Sequence, residues 1–145
     1  MQKDKYKNGD IFFTTSKSLL SRVIRFFTRA KVSHTGVIIE LEDHFFAVEM
    51  LNQGCIMRPA DSRFKNVEHY IFRTNPPANF KHKVLNDVGN VPYDWFGLFM
   101  SMIFRTKGQE KICSEWVAYI LDLKFPYLNR EITPSDLINI YSAKK

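Results

Sequence analysis

The sequence predicts an α+β fold in which an antiparallel sheet packs against helices, and three observations carry that expectation. Extended runs joined by short polar turns, interrupted by one helical segment after the first, make up the first half of the chain, up to Pro76-Pro77. Helical periodicity fills the second half, from Asn79 onward. Strands first and helices second, without regular alternation, is the pattern of an α+β domain with an antiparallel sheet. The length of 145 residues, with 45% hydrophobic and 25% charged side chains, suits one globular domain over residues 1–145.

The elements follow in order. Gly9-Asp10-Ile11-Phe12-Phe13 reads as a short strand entered by a turn. Ser16 to Ala30 reads as an amphipathic helix with Leu19, Leu20, Val23, Ile24 and Phe27 on one stripe, capped by Ser16 or Ser18. Ser33 to Leu41 is a strand, and a polar turn at Glu42-Asp43 returns the chain along His44 to Leu51. Gly54 opens a third run over Cys55 to Arg58, ended by Pro59. A fourth strand, Glu68 to Arg73, stops before Pro76-Pro77. Helices are expected over Asn79 to Val88, Tyr93 to about Arg105, and Cys113 to Leu123. A last helix begins at Thr133-Pro134-Ser135-Asp136, which has the order of an N-cap, a first helical proline and an acid that completes a capping box.

The net charge of +6 belongs wholly to residues 1–31, where eight Lys/Arg face only Asp4 and Asp10; residues 32–145 are balanced. Such a segment can meet anionic lipid, nucleic acid or an acidic substrate, or it can be the solvated face of a helix. No nucleic-acid recognition motif accompanies it, so no nucleic-acid partner is expected. The charged N-terminus does not read as a secretory signal. The longest apolar run, Trp95 to Phe104, falls short of the ~20 residues that span a bilayer. Two cysteines are too few for a disulfide framework and read as free thiols, which points to the cytoplasm.

Cys113 opens the apolar helical run that ends at Leu121. A thiol there lies near the positive end of the helix dipole, which favours the nucleophilic thiolate. The other reading is a small buried hydrophobe, which is the one given to Cys55. Thiol chemistry needs a base within hydrogen-bond reach and a polar group to orient it. Of the four histidines, His44 falls at a turn, His82 lies between Lys81 and Lys83 on a polar helix, and His69 starts a strand with no polar companion. His34 opens an apolar strand beside small residues and is the candidate base.

Hairpin parity supplies a third member. A two-residue turn at Glu42-Asp43 pairs Leu41 with His44, Gly36 with Glu49 and His34 with Leu51. Glu49 then shares the face of His34, one diagonal step away; an odd loop would separate them. An acid inside Phe45 to Leu51 is costly unless paired. The alternative is a solvent-facing Glu49 beside an ordinary sheet histidine. No Cys/His pair has zinc-site spacing, so neither a metal nor a cofactor is expected.

Taken together, Ser33-His34-Thr-Gly-Val-Ile-Ile39, Val48-Glu49-Met50 with Gly54, Tyr93-Asp94-Trp95 and Cys113-Ser-Glu-Trp-Val117 resemble the circularly permuted branch of the NlpC-type papain-like hydrolases. Within it they are most similar to the YiiX/YebB-like group, itself related to lecithin:retinol acyltransferase. Gly9-Asp10-Ile11 and Thr133-Pro134-Ser135-Asp136-Leu137 fit the same order, so the resemblance spans nearly the whole chain. It implies a papain-like fold whose histidine strand precedes the cysteine helix. It also implies Cys113 as nucleophile, His34 as general base and then acid, and Glu49 as the group that orients His34. Tyr93 would line the site or assist the oxyanion, with Trp95 beside it as a substrate-binding residue. The lecithin:retinol acyltransferase group carries Asn-Cys where this chain has Ile112-Cys113, a departure that weakens any transfer of its specific acyl donors.

The implied activity is a cysteine-dependent hydrolase acting through a thioester on Cys113. It would be an amidase or peptidase, or an acyl-lipid hydrolase or transferase, on a peptide or acyl-lipid substrate. The run from Trp95 to Phe104 can line a lipid-sized groove or fill the core. A function of another class stays open at this point. It is a non-catalytic lipid- or membrane-surface-binding module that sets the basic residues 16–31 against an anionic membrane surface.

Overall fold

The computed structural model describes residues 5–15, 32, 34–51, 54–90, 113–124 and 132–143. Five strands form one antiparallel sheet: β1 (Ile11–Thr14), β2 (His34–Leu41), β3 (His44–Leu51), β4 (Gly54–Pro59) and β5 (His69–Phe72). Their spatial order is β4-β3-β2-β1-β5. The helices among the described residues are α1 (Ala60–Phe64), α2 (Phe80–Asp87), α3 (Cys113–Ile120) and α4 (Pro134–Ser142). The fold is therefore α+β with an antiparallel sheet, as the order of patterns predicts. The helices expected over 16–30 and 93–105 lie outside the described residues.

The β2–β3 hairpin turns on Glu42 and Asp43, both at positive φ (47° and 62°). That twist suits a two-residue connection between antiparallel strands. It pairs Leu41 with His44 and Gly36 with Glu49. Gly36 is required there: a Cβ would lie 2.5 Å from the Phe12 ring and 2.5 Å from the Val48 carbonyl. The next hairpin pairs Leu51 with Gly54 and carries the same alternation into β4.

Both faces of the sheet are covered. Val37, Ile39, Val48 and Met50 join Ile11 and Phe13 against Val84 of α2, Trp116 and Val117 of α3 and Leu137 of α4. Phe12, Ile38, Phe45 and Ala47 face the other way, onto Tyr6 and onto Ala60 and Phe64 of α1. This is why the central strands read as nearly continuous apolar runs. Trp116 donates its indole N–H to Asp87, 2.9 Å away, and so ties α3 to α2. At the start of α4, Thr133 and Asp136 form the predicted reciprocal capping box.

Two expectations need correction. Pro59 does not merely end a strand; it is the N-cap of α1, a five-residue helix that the pattern does not reveal. The helix that starts at Cys113 ends at Ile120 rather than Leu123, because Asp122 adopts a φ of 52° and turns the chain. Cys55 and Cys113 are both buried and free. No helix among the described residues is long and apolar enough to cross a membrane.

Candidate active site

His34 is the first residue of β2 and pairs with Thr14 of β1 at one end of the sheet. Glu49 lies opposite Gly36 on β3, and the alternation of the hairpin brings its side chain to the face of His34. The Glu49 carboxylate is fully buried, with Oε2 2.8 Å from His34 Nε2. The contact is close rather than straight, an ion pair in which Nε2 has no well-directed hydrogen bond among the described residues.

Two arginines converge on the same carboxylate. Arg63 of α1 forks it, with Nε 2.5 Å from Oε1 and Nη2 2.9 Å from Oε2. Arg63 Nη2 also lies 3.5 Å from the Thr14 hydroxyl. Arg58 of β4 adds Nη2 at 2.5 Å from Oε1. Burial by itself would lift the Glu49 pKa. The His34 contact and the hydrogen bonds of Arg63, with the charges of both, outweigh it and hold the carboxyl well below the usual range.

Cys113 stands at the first residue of α3, which packs against β2 and β3 and so carries its start to the sheet. His34 interacts with it directly. Burial would push the imidazole pKa down, but its contacts with the Cys113 sulfur and the Glu49 carboxylate, with the charges of both, raise it to about 9. The imidazole thus meets both a thiol and a carboxylate. Among the described residues Cys55 has no such partner: burial and the nearby Asp87 push its thiol up to about 12.

The other histidines lie elsewhere. His44 is exposed with Nδ1 at the Glu42 carbonyl. His82 is exposed beside Asn86. His69 stacks on Phe64 with its Nδ1 2.7 Å from the Val67 carbonyl, a polar companion that the sequence does not announce. The structure thus brings together Cys113, His34 and Glu49. Tyr93, Trp95 and the basic residues 16–31 lie outside the described residues.

Arg58 and Arg63 are the residues that sequence reasoning misses. For Arg58 a signal exists. Pairing Leu51 with Gly54 across Asn52-Gln53 sets Arg58 opposite Ala47, one diagonal step from Glu49 on its face. Arg63 has a weaker one, an acid (Asp61) in the first turn after Pro59.

No known family model matches the chain, and no curated protein matches it. A solved structure does. The crystal structure of the metalloprotein yiiX from Escherichia coli O157:H7 matches with a TM-score of 0.62 at 22% sequence identity. The chain has a yiiX-like fold. The match covers 79% of this chain and 63% of the yiiX chain, so the chain spans less than two thirds of that neighbour. Among the described residues of this yiiX-like sheet and its helices, no three His, Cys, Asp or Glu side chains group so as to hold a metal ion.

Proposed function

We propose that the chain is a cysteine-dependent hydrolase of papain-like type, with its histidine strand before its cysteine helix in permuted order. The observation that carries this reading is the position of His34, in contact with the Cys113 thiol and 2.8 Å from a buried carboxylate. Glu49 occupies the Nε2 side of the ring, which leaves Nδ1 to exchange a proton with the sulfur. The Cys113 thiolate attacks an amide or ester carbonyl while His34, as imidazolium, holds the proton. The backbone N–H of Cys113, at the helix start, can donate to the oxyanion. His34 then protonates the leaving group, and a thioester on Cys113 remains. Water attacks that thioester, giving a proton to His34; the acid leaves and the thiolate–imidazolium pair is restored.

A metal does not fit this cluster. Glu49 already accepts from Arg58 and Arg63 and faces His34, and three cationic neighbours disfavour a further cation there.

Cys113→Ala should abolish turnover of acyl substrates with the fold intact by circular dichroism. Iodoacetamide at neutral pH should label Cys113 before Cys55. With its thiol pushed up to about 12 by burial, Cys55 should react about a hundredfold slower than an ordinary thiol of pKa ~8.5, its smaller thiolate fraction being partly offset by a more nucleophilic thiolate. Labelling of the two at equal rates would overturn the nucleophile assignment.

A further inference from the structure

We propose that Arg58 forms an anion subsite beside the Cys113–His34–Glu49 cluster, and that the acyl substrate carries a phosphate or carboxylate group that pairs with it. The substrate half of this proposal rests on the hydrolase reading; the anion-binding half does not. Arg63 alone satisfies Glu49, since its Nε and Nη2 take one carboxylate oxygen each from a nearly buried position. That is the bidentate fork arginine is shaped for. Arg58 adds only Nη2, and among the described residues its guanidinium makes no other hydrogen bond. Its remaining donors are surplus to the clamp.

Charge and exposure point the same way. Glu49 brings one negative charge against two arginines, while a Cys113 thiolate and a His34 imidazolium cancel each other. The cluster keeps one positive charge, and once the sulfur is acylated no anion but Glu49 remains among these groups. An uncompensated cation beside a partly desolvated site attracts an anion. Arg58 is also the member that water can reach: its side chain is 45% exposed against 12% for Arg63. It sits on β4, at the edge of the sheet.

The binding test uses full-length Cys113→Ala protein, so that no turnover is needed. The Arg58 Nε–Hε resonance, assigned by its loss in the Arg58→Gln variant, is followed by NMR during titration with inorganic phosphate and, separately, acetate. A saturable shift in physiological salt is expected. Phosphate alone would point to a phosphate-bearing substrate, and acetate alone to a carboxylate. No saturable shift with either overturns the proposal. In the protein with Cys113 intact, Arg58→Gln should lower kcat/KM for an anionic acyl ester, relative to its neutral isostere, by about tenfold or more, the worth of a charge-assisted hydrogen bond. An equal fall on both substrates would overturn the specificity role. A phosphate shift at Arg58 without turnover of any acyl substrate would uphold the subsite and sink the hydrolase reading.

Discussion

Replacing Glu49 with glutamine asks whether one buried carboxylate holds the cluster together. The change keeps the shape of the side chain and removes a charge on which Arg58, Arg63 and His34 converge at 2.5 to 2.9 Å. Removing one partner of a buried ion pair costs roughly 3–5 kcal/mol, because the other partner stays charged. Arg58 is half-exposed and water can replace its lost contact, so the lower end, about 3 kcal/mol, is expected. For a chain of this length that is a fall in Tm of roughly 10 °C. The pH dependence has a definite sign. The Glu49 pKa is lower in the folded protein than in the unfolded chain, so its contribution is fully present above the unfolded value of about 4.3 and fades as pH falls below it. The Tm gap between wild type and Glu49→Gln should be widest near neutral pH and narrow in acid. Thermal unfolding by circular dichroism measures the gap, and NMR titration of the His34 ring reports the partner directly. The His34 pKa should drop below its wild-type value of about 9. A Tm within about 2 °C of wild type near neutral pH, with an unchanged His34 titration, would refute the reasoning.

Two further outcomes are expected. In the proposed mechanism the His34 imidazolium releases the leaving group, so kcat/KM should fall as pH rises through about 9; its stabilising pairing is lost over the same rise. A profile that stays flat well above that pH would exclude His34 as the proton donor. Gly36→Ala sets a methyl 2.5 Å from both the Phe12 ring and the Val48 carbonyl, and should cost about 1–3 kcal/mol by overpacking; an unshifted urea midpoint would count against that close approach.

The parts of the fold written in period and turn chemistry were legible. Strand alternation, the even Glu42-Asp43 turn and the Thr133–Asp136 cap are local signals, and the register they give places Glu49 opposite Gly36 as observed. The partnership of His34 and Glu49 was legible for the same reason, since parity in one hairpin decides it. The clamp on Glu49 was not, because it depends on a second hairpin and on α1. That helix has five residues, too few for a hydrophobic period to show, and its start is a proline that reads equally well as a strand end. Cys113 belongs between these cases. Its place at a helix start was readable, but its approach to His34 depends on how α3 packs on the sheet, which no local pattern specifies.

A buried carboxylate under two guanidiniums is a poor way to stabilise a sheet. Desolvating such a group consumes most of what the pairing returns, and apolar side chains of the same volume usually do as well or better. The surroundings would accept them: Phe12, Ile38, Phe45, Ala47 and Phe64 line the same face. Nor is the network needed to set the register, because the two-residue turn and the apolar alternation already specify it. What Glu49 supplies and a leucine would not is a fixed negative charge behind the His34 ring, kept ionised by Arg63. Such a charge suits a histidine that handles protons, and Cys113 is the other group that His34 meets. The network therefore favours chemistry over a silent surface-binding module, and it does so without reference to the basic residues 16–31.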